Sequence, residues 1–333
     1  MEKYYITTPI YYVNDKPHIG HAYTTILADT ISRFRALIGE KPTFLTGLDE
    51  HGLKVQQAAE KNGKAPQDHC DSMVPAFIDL WKKLNINYSD FIRTTENRHT
   101  KIVQQILTKV HESGDIYMDE YEGWYSISEE RFITEKELDS GQFGQVKQIK
   151  EKNYFFRMSK YQATLIDKIE KDELLIQPKS RKNEVLGFLK NELSDLCISR
   201  PKSRLEWGIE LPFDDNYVTY VWFDALINYI SAIGAYSNDE QFSSLWPADV
   251  HLIGKDILTT HSVYWPTMLL SLGLPLPQRI FAHGWWLTDD QKMSKSLGNV
   301  VSPLMLIDDF GVDSVRYYLC LLYTSDAADE PLC

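Results

Sequence analysis

The sequence predicts an α/β protein built on a parallel β-sheet, because strand-like and helix-like segments alternate near its start and again later. Residues 4–12 are rich in Tyr, Ile and Thr and predict a buried strand. A turn over residues 14–17 follows, and the next segment, residues 18–37, predicts a helix. The chain therefore opens with a strand, a loop and a helix.

Further segments repeat this alternation. Residues 43–46 predict a second strand that ends at Gly47, and residues 50–62 have helical composition. Later, residues 217–223 predict a strand, residues 224–233 a helix and residues 250–253 another strand. Strands that alternate with helices favour βαβ units, whose crossovers are right-handed.

The middle of the chain has a different character and predicts an inserted module. It contains short aromatic segments such as residues 121–125, a Gly-rich stretch at residues 140–144 and a charged helix at about residues 159–172. We therefore divide the chain into the first half of an α/β domain (1–113), an insertion (114–211) and the second half of that domain (212–278).

Composition predicts a globular protein without a membrane segment. The 333 residues are 43% hydrophobic with a formal charge of -12, and no apolar run approaches the length needed to cross a bilayer. The cysteines Cys70, Cys197, Cys320 and Cys333 have no paired spacing, so neither disulfides nor a zinc knuckle is predicted. We expect reduced thiols and a cytoplasmic location. The acidic balance argues against a nucleic-acid-coating protein, although a local basic groove can coexist with it.

The first chemical motif lies where the first strand passes into the first helix, at Pro17-His18-Ile19-Gly20-His21. Backbone N–H groups at a helix N-terminus favour phosphate, and Gly20 would let a nucleotide approach the backbone. The two imidazoles can donate hydrogen bonds to phosphate oxygens as pyrophosphate leaves. Alternatively, the histidines form a structural pair.

The second motif is Lys292-Met293-Ser294-Lys295-Ser296, followed by Leu297-Gly298-Asn299. Two lysines with small hydroxyl residues and a following glycine suit a loop that clamps a triphosphate and neutralises its charge. Taken alone, the pentapeptide could equally be an ordinary solvated loop.

In this order, the two motifs resemble the paired ATP-binding motifs of class I aminoacyl-tRNA synthetases. The surrounding sequence from Tyr4 to about Leu319 resembles the bacterial-type methionine-specific members of that class. The segments that carry this resemblance are residues 7–14, 46–52, 220–225 and 253–257.

The resemblance implies a Rossmann-like doubly wound parallel sheet with an inserted connective-peptide module. It implies that L-methionine is activated with ATP and Mg2+ to methionyl-adenylate and then transferred to tRNA(Met). Residues 279–319 would hold the lysine loop and the start of the stem-contact region. No membrane and no protein partner are implied.

Site residues carry over from the resemblance position by position. Asp49 would pair with the methionine ammonium, Lys295 would contact the phosphates, and Arg200 would close on the site from the insertion. The ATP set is Pro17, His18, Gly20, His21, Gly254, Lys255, Asp256, Lys292, Met293, Ser294 and Lys295, of which His18, His21, Lys292 and Lys295 would be catalytic. The amino-acid pocket would comprise Ile10, Tyr12, Trp222, Ala225, Tyr229, Ile257 and His261.

The physical chemistry of methionine agrees with such a pocket. A thioether offers no strong hydrogen-bonding group, so a pocket must select it by shape and by sulfur–aromatic contact, which Tyr12 and Trp222 can supply. The i, i+3, i+7 spacing of Trp222, Ala225 and Tyr229 also fits an ordinary core-facing stripe. A pocket wall and a packed helix face can be the same surface.

Two features depart from the family pattern. Ser126 and Glu129 stand where many relatives carry zinc-binding cysteines, so we expect no structural zinc. Residues 320–333 are unlike the family, and residues 320–330 resemble the translation of a sequencing adapter, so we expect a non-native tail; a genuine divergent terminus is the alternative. The helical anticodon-binding domain that the family carries after this point is expected to be missing.

Alternative functions remain open at this stage. The insertion is too small for the editing domain of the isoleucine, valine or leucine enzymes, and the ligands of a cysteine-specific pocket are lacking. A nucleotidyltransferase acting on a cofactor precursor would share the His-x-Gly-His helix start. An inactive fragment is the third alternative. Methionine-dependent pyrophosphate exchange distinguishes among them.

Overall fold

A computed structural model describes residues 2–126, 131–133, 138, 145–284, 287–288, 291–292 and 301–322. The strands are β1 Lys3–Tyr12, β2 Lys41–Asp49, β3 Asp90–Arg93, β4 Ile116–Ser126, β5 Arg131–Ile133, β6 Val146–Phe156, β7 Leu175–Gln177, β8 Leu196–Cys197, β9 Ser199–Pro201, β10 Glu210–Leu211, β11 Asp214–Thr219, β12 Val250–Gly254, β13 Arg279–His283, β14 Leu287–Thr288 and β15 Gln291–Lys292.

The helices alternate with these strands in the first and last thirds of the chain. They are Ile19–Leu37, Leu53–Lys61, Pro66–Lys83, Asn97–Glu112, Gln162–Glu170, Lys179–Phe188, Val221–Leu226, Asn228–Ser231, Asp239–Leu245, Trp265–Leu272, Pro303–Phe310 and Val312–Leu322, with short 3-10 or π turns at Met158–Tyr161, Lys255–Ile257 and Thr260–Tyr264. Within the part of the chain that the structure describes, none of them has the length and apolar character that crossing a membrane requires.

The central sheet has six strands in the order β3-β2-β1-β12-β13-β7, and every neighbouring pair is parallel. The chain moves outward from β1 through β2 to β3 on one side and continues with β12 and β13 on the other. The strand order therefore reverses between β1 and β12, and in such sheets ligands bind outside the carboxyl ends of the strands at this point. The predicted Rossmann-like, doubly wound parallel sheet is confirmed.

The two faces of the sheet pack against two separate apolar cores. Alternate residues of a strand point to opposite faces, so Tyr4 and Ile6 join one core whereas Tyr5 joins the other. The first core includes residues of helices Ile19–Leu37 and Pro66–Lys83, and the second includes residues of helix Asn97–Glu112. Both faces of β1 are covered, which explains its near-continuous apolar and aromatic sequence.

Two antiparallel sheets lie largely within the predicted insertion, in the orders β5-β4-β6-β8 and β10-β11-β9. One strand of the range 114–211, Leu175–Gln177, instead pairs with β13 at the edge of the central sheet. The strand Asp214–Thr219 belongs to the three-stranded sheet, although it follows the predicted end of the insertion. The domain boundaries themselves stay predictions.

The prediction of a strand over residues 217–223 was wrong at its C-terminal end. The strand ends at Thr219, and helix Val221–Leu226 begins after Tyr220. Val221, Trp222 and Phe223 favour strands by composition, but burial of Val221 and Phe223 in the core overrides that preference. Trp222 is therefore held in the first turn of a helix.

Candidate active site

The first helix begins at His18, where the chain leaves β1 and its following loop. His18 is the N-cap, with extended backbone angles, and its Nδ1 accepts a hydrogen bond from the backbone N–H of Gly20 at 3.1 Å. The backbone N–H of His18 donates in turn to Nδ1 of His21 at 3.2 Å. These bonds form a capping box in which two histidines take the roles usually filled by Ser or Thr and Glu.

The capping box determines how the two imidazoles are protonated. Because Nδ1 accepts an N–H in both rings, the neutral form of His18 and of His21 carries its proton on Nε2. The rings stack with their centroids 3.8 Å apart. The Nε2–H groups are therefore the ring donors that can serve a ligand at the helix N-terminus, where Pro17 is half-buried just before the cap.

Gly20 has a structural reason to be glycine. A Cβ at this position would lie 3.0 Å from Cε1 of His18, which is tighter than ordinary contact. Close approach of a nucleotide is the role predicted for Gly20 from the sequence. The structure adds that the missing side chain lets the His18 ring fold over the first turn.

The predicted ammonium ligand, Asp49, lies at the carboxyl end of β2, next to the switch point of the sheet. It is 2% exposed, and the sheet register places it opposite Tyr12 of β1. A buried carboxylate at a strand end is suited to a ligand ammonium, because charge-assisted hydrogen bonds are the strong ones. Its role as the ammonium ligand stays a prediction.

The predicted pocket residues pack against one apolar core. Ala225 and Tyr229 are buried members of it, and the remaining apolar ones are partly exposed and pack against it, namely Ile10, Tyr12, Trp222 and Ile257. The partly exposed set comes from three separate parts of the chain. Such an apolar surface beside a buried carboxylate matches the two ends of an amino acid with an apolar side chain.

Polar atoms among these residues are paired within the protein. Nε2 of His261 accepts a hydrogen bond from the Tyr229 hydroxyl at 2.7 Å, and Nδ1 of His261 donates to the carbonyl of Ile257 at 2.9 Å. Burial lowers the pKa of His261 to about 4 and raises the pKa of Tyr229. Both side chains are therefore neutral near pH 7, as an apolar substrate side chain requires.

The predicted ribose and adenine residues lie at the end of β12. Gly254 is buried, Lys255 is half-buried and Asp256 is exposed in the turn that follows. A Cβ at Gly254 would lie 2.5 Å from Oδ1 of Asp256, so any side chain at this position would displace the Asp256 carboxylate. The strand end and the side chain of Asp256 thus form one compact unit.

His283 joins this unit to the helix N-terminus, and sequence reasoning missed it. Its Nε2 lies 2.7 Å from Oγ1 of Thr24, one turn beyond His21, and its Nδ1 donates to the carbonyl of Gly284 at 2.9 Å. The Cβ position of Gly254 would lie 3.5 Å from Cε1 of His283. The structure therefore brings the two predicted halves of an ATP site together through His283.

The lysine motif lies mostly outside the described residues. Lys292 ends the short strand β15. Met293, Ser294 and Lys295 lie outside the described residues, as does Glu129 of the predicted zinc-free segment. The phosphate contacts of both lysines stay predictions, and so does the absence of zinc, although Ser126 is buried at the end of β4.

Arg200 is buried rather than open to the site. It is 4% exposed, Nη1 donates to the carbonyl of Ser199 at 2.6 Å, and the guanidinium lies 4.5 Å above the ring of Tyr220. Tyr220 directly precedes helix Val221–Leu226 (the Trp222 helix), so Arg200 contacts the residue at the start of this helix. The predicted closing of Arg200 on the site stays a prediction.

A buried ionic cluster beside the pocket was also missed. Asp224 is fully buried, with Oδ2 at 2.6 Å from Nδ1 of His51 and Oδ1 at 2.7 Å from Nε2 of His99. Burial would raise the pKa of Asp224, but attraction to His51 and hydrogen bonds from both imidazoles hold that pKa at about 2. Asp224 is an anion at neutral pH.

Fold and site together define an α/β protein with a doubly wound parallel sheet, a histidine-capped helix N-terminus and a buried carboxylate beside apolar residues. Comparison with known proteins makes this specific. The family model for class I tRNA synthetases (M) matches residues 4–142 and 140–330. The chain belongs to this family.

Similar proteins support the same placement. The chain is 53% identical over 322 residues to a methionine–tRNA ligase of Clostridium tetani and 50% identical over 336 residues to one of Halalkalibacterium halodurans. In both comparisons 95% of this chain is covered but 50% of the relative, so the chain spans about half the length of the curated relatives it matches.

Solved structures are similar as well. The Mycobacterium tuberculosis methionyl-tRNA synthetase in complex with methionyl-adenylate matches with a TM-score of 0.91 and 43% identity, covering 96% of this chain and 64% of that one. The apo form of the same enzyme matches with a TM-score of 0.77 and 40% identity, with 96% and 61% covered.

Proposed function

We propose that this chain carries the amino-acid activation site of a methionine–tRNA ligase. Its reaction would join L-methionine to ATP, giving methionyl-adenylate and pyrophosphate, and would then pass the methionyl group to tRNA(Met) for translation. We also propose that it acts in the cytoplasm and needs no membrane or protein partner.

The observation that carries this proposal is the position of Asp49. It is a buried carboxylate next to the switch point of the sheet, opposite Tyr12 and beside the apolar pocket residues. An α-amino acid would bind with its ammonium at Asp49 and its side chain between Tyr12 and Trp222. Aromatic rings suit the sulfur of methionine.

The activation step needs no protein nucleophile. An oxygen of the methionine carboxylate bonds to the α-phosphorus of ATP, and the bond from that phosphorus to the bridging oxygen of pyrophosphate breaks. Catalysis then rests on positioning and on stabilising charge as it moves onto pyrophosphate. We assign the Nε2–H groups of His18 and His21 to this charge, together with the predicted Lys292 and Lys295.

We propose that Mg2+ enters with ATP. Mg2+ in nucleotide sites is bound mainly by phosphate oxygens, water and one or two carboxylates. Among the described residues, no group of three or more His, Cys, Asp and Glu side chains is arranged to hold a metal ion. Asp256, exposed in the turn after β12, is the one carboxylate among the predicted ATP-binding residues.

The test is ATP–pyrophosphate exchange with the purified chain. We expect exchange with methionine and none with leucine, isoleucine or valine at equal concentration. Thermal melting with and without methionine plus ATP controls for folding. Exchange driven by a different amino acid, or a folded chain that exchanges with none, would contradict the proposal. Acylation of tRNA(Met) is the second measurement.

A further inference from the structure

We propose that Asp224 is a positioning residue that couples the ammonium-binding end of β2 to the helix that forms the apolar wall of the amino-acid pocket. The inference rests on the proposed function and adds a role for a residue that touches neither substrate. Asp224 lies in helix Val221–Leu226, between Trp222 and Ala225. Its partner His51 lies two residues after Asp49.

The Asp224 carboxylate connects its own helix to two other parts of the chain. Oδ2 accepts a hydrogen bond from Nδ1 of His51 at 2.6 Å, and Oδ1 accepts one from Nε2 of His99 at 2.7 Å. Each oxygen is thus engaged by a different part of the chain, since His51 follows β2 and His99 lies in helix Asn97–Glu112. A shift of the Trp222 helix would break both bonds at once.

The turn after Asp49 is held from its other side as well. The carbonyl of Glu50 accepts from the indole N–H of Trp207 at 2.5 Å, and the N–H of Gly52 donates to the carbonyl of Trp207 at 3.2 Å. The Glu50 carboxylate is bound by Arg93 at 2.8 Å. With this turn fixed, the Asp224–His51 bond sets where the Trp222 helix sits relative to Asp49.

A nucleophilic role for this cluster is excluded by burial. Oγ of Ser231 lies 2.8 Å from Nδ1 of His99, so Ser231, His99 and Asp224 are connected like a catalytic triad. Asp224 and His99 are 0% exposed and Ser231 is 3% exposed, which leaves no path for a substrate. The nitrogens are also reversed, since Nε2 faces the carboxylate and Nδ1 the serine.

The geometry predicts which kinetic constant depends on the cluster. Displacing the Trp222 helix from Asp49 would separate the groups that bind the two ends of methionine. A misplacement of about 1 Å can lower the reaction rate roughly 100-fold. Asp224 hydrogen-bonds to His51 and His99, and neither belongs to the proposed nucleotide residues at the helix N-terminus and the end of β12. A positioning role should therefore change methionine recognition and spare ATP recognition.

The experiment measures KM for methionine and for ATP in pyrophosphate exchange, and Kd for methionine by calorimetry. Asp224→Asn removes the charge at nearly constant shape, and Asp29→Asn is the matched control. Asp29 is also fully buried and paired, with Arg33 at 2.8 Å and Arg316 at 2.5 Å, but it belongs to neither proposed binding group. We expect Asp224→Asn to raise the methionine KM and Kd about 10-fold or more, with the ATP KM within about 2-fold.

If Asp224→Asn folds poorly, two variants of His51 test the same hydrogen bond. The side-chain amide of His51→Asn lies near the position of Nδ1 and can still donate to Asp224, whereas His51→Leu cannot donate. We expect His51→Leu to weaken methionine binding and His51→Asn to retain most of it. Restored binding in the asparagine variant is a result that general destabilisation would not produce.

Two results overturn the inference: a methionine Kd in Asp224→Asn and His51→Leu equal to that of the unchanged chain, or parallel losses of methionine and ATP affinity matching those in Asp29→Asn. The proposed function is tested separately by the unchanged chain. If that chain binds methionine without exchange, the activity fails and the Kd comparison still decides the role of Asp224. If it neither binds nor exchanges, both proposals fail.

Discussion

Replacing His18 by asparagine separates the two roles that the structure gives to this residue. His18 caps the first helix through Nδ1, which accepts from the N–H of Gly20 at 3.1 Å. The proposed catalytic role uses Nε2–H instead. Asparagine is a good N-cap whose side-chain oxygen can accept the same bond, but it has no donor where Nε2 lies. His18→Ala removes both functions.

The two variants should therefore differ in stability and agree in activity. Loss of an N-cap costs about 1 kcal/mol, so the free energy of unfolding should fall by about that amount in His18→Ala and by less than about 0.5 kcal/mol in His18→Asn. Loss of one donor to developing charge costs about 3 kcal/mol, or roughly 100-fold in rate. Both variants should lose activity to that extent.

Urea unfolding gives the first quantity and the rate of methionine-dependent pyrophosphate exchange at saturating substrate gives the second. If His18→Asn exchanges at nearly the original rate, the histidine is a structural cap and the proposed phosphate contact is wrong. If His18→Asn is as unstable as His18→Ala, the capping assignment is wrong instead. Each assay can contradict one role without affecting the other, so the capping role and the catalytic role are tested separately.

Three further outcomes follow from the site. Asp49→Asn should raise the methionine KM by about 100-fold or more, since removing one partner of a buried ion pair costs about 3–5 kcal/mol; an unchanged KM would remove Asp49 from the ammonium site. Tyr229→Phe leaves the buried Nε2 of His261 without its donor, so urea unfolding should show a loss of about 1–3 kcal/mol, and an unchanged unfolding free energy would contradict that hydrogen bond. The lowered pKa of Asp224, about 2 against 3.8, stabilises the fold by roughly 2 kcal/mol above pH 4, and this contribution is lost as pH falls towards 2. The difference in unfolding free energy between the unchanged chain and Asp224→Asn should therefore narrow as the pH falls from about 4 towards 2 in urea unfolding, and a difference independent of pH would refute the assignment.

Local patterns were sufficient to predict the sheet and the helix N-terminus. The strand that became Lys3–Tyr12 and the helix that became Ile19–Leu37 were predicted within two residues at their ends. Both elements pack on apolar faces whose spacing can be recognised in the sequence. The motif at His18 and His21 depends on residues three positions apart, so the sequence displays it directly.

Contacts between distant residues could not be predicted in this way. His51 meets Asp224 across 173 positions, and Thr24 meets His283 across 259. No periodicity connects such residues, because their meeting depends on the strand order of the sheet. The prediction of a strand over residues 217–223 was wrong at its C-terminal end for a related reason. Local composition favoured a strand, but Val221 and Phe223 are buried in the core as part of a helix.

Histidines around the site show how the fold prepares ring nitrogens for different tasks. In His18 and His21, Nδ1 accepts a backbone N–H, so the neutral rings hold their protons on Nε2 as donors. In His261 and His283, Nδ1 donates to a main-chain carbonyl, so Nε2 is an acceptor, and it is paired with a hydroxyl of the protein. At the helix N-terminus, where phosphate would lie, both rings thus carry a donor at Nε2, whereas the acceptor nitrogens of His261 and His283, which would repel phosphate oxygens, are paired with hydroxyls of the protein. Since these tautomers are set by the backbone, no reorganisation is needed when charge develops, and that is the condition under which hydrogen-bond donors contribute most to catalysis.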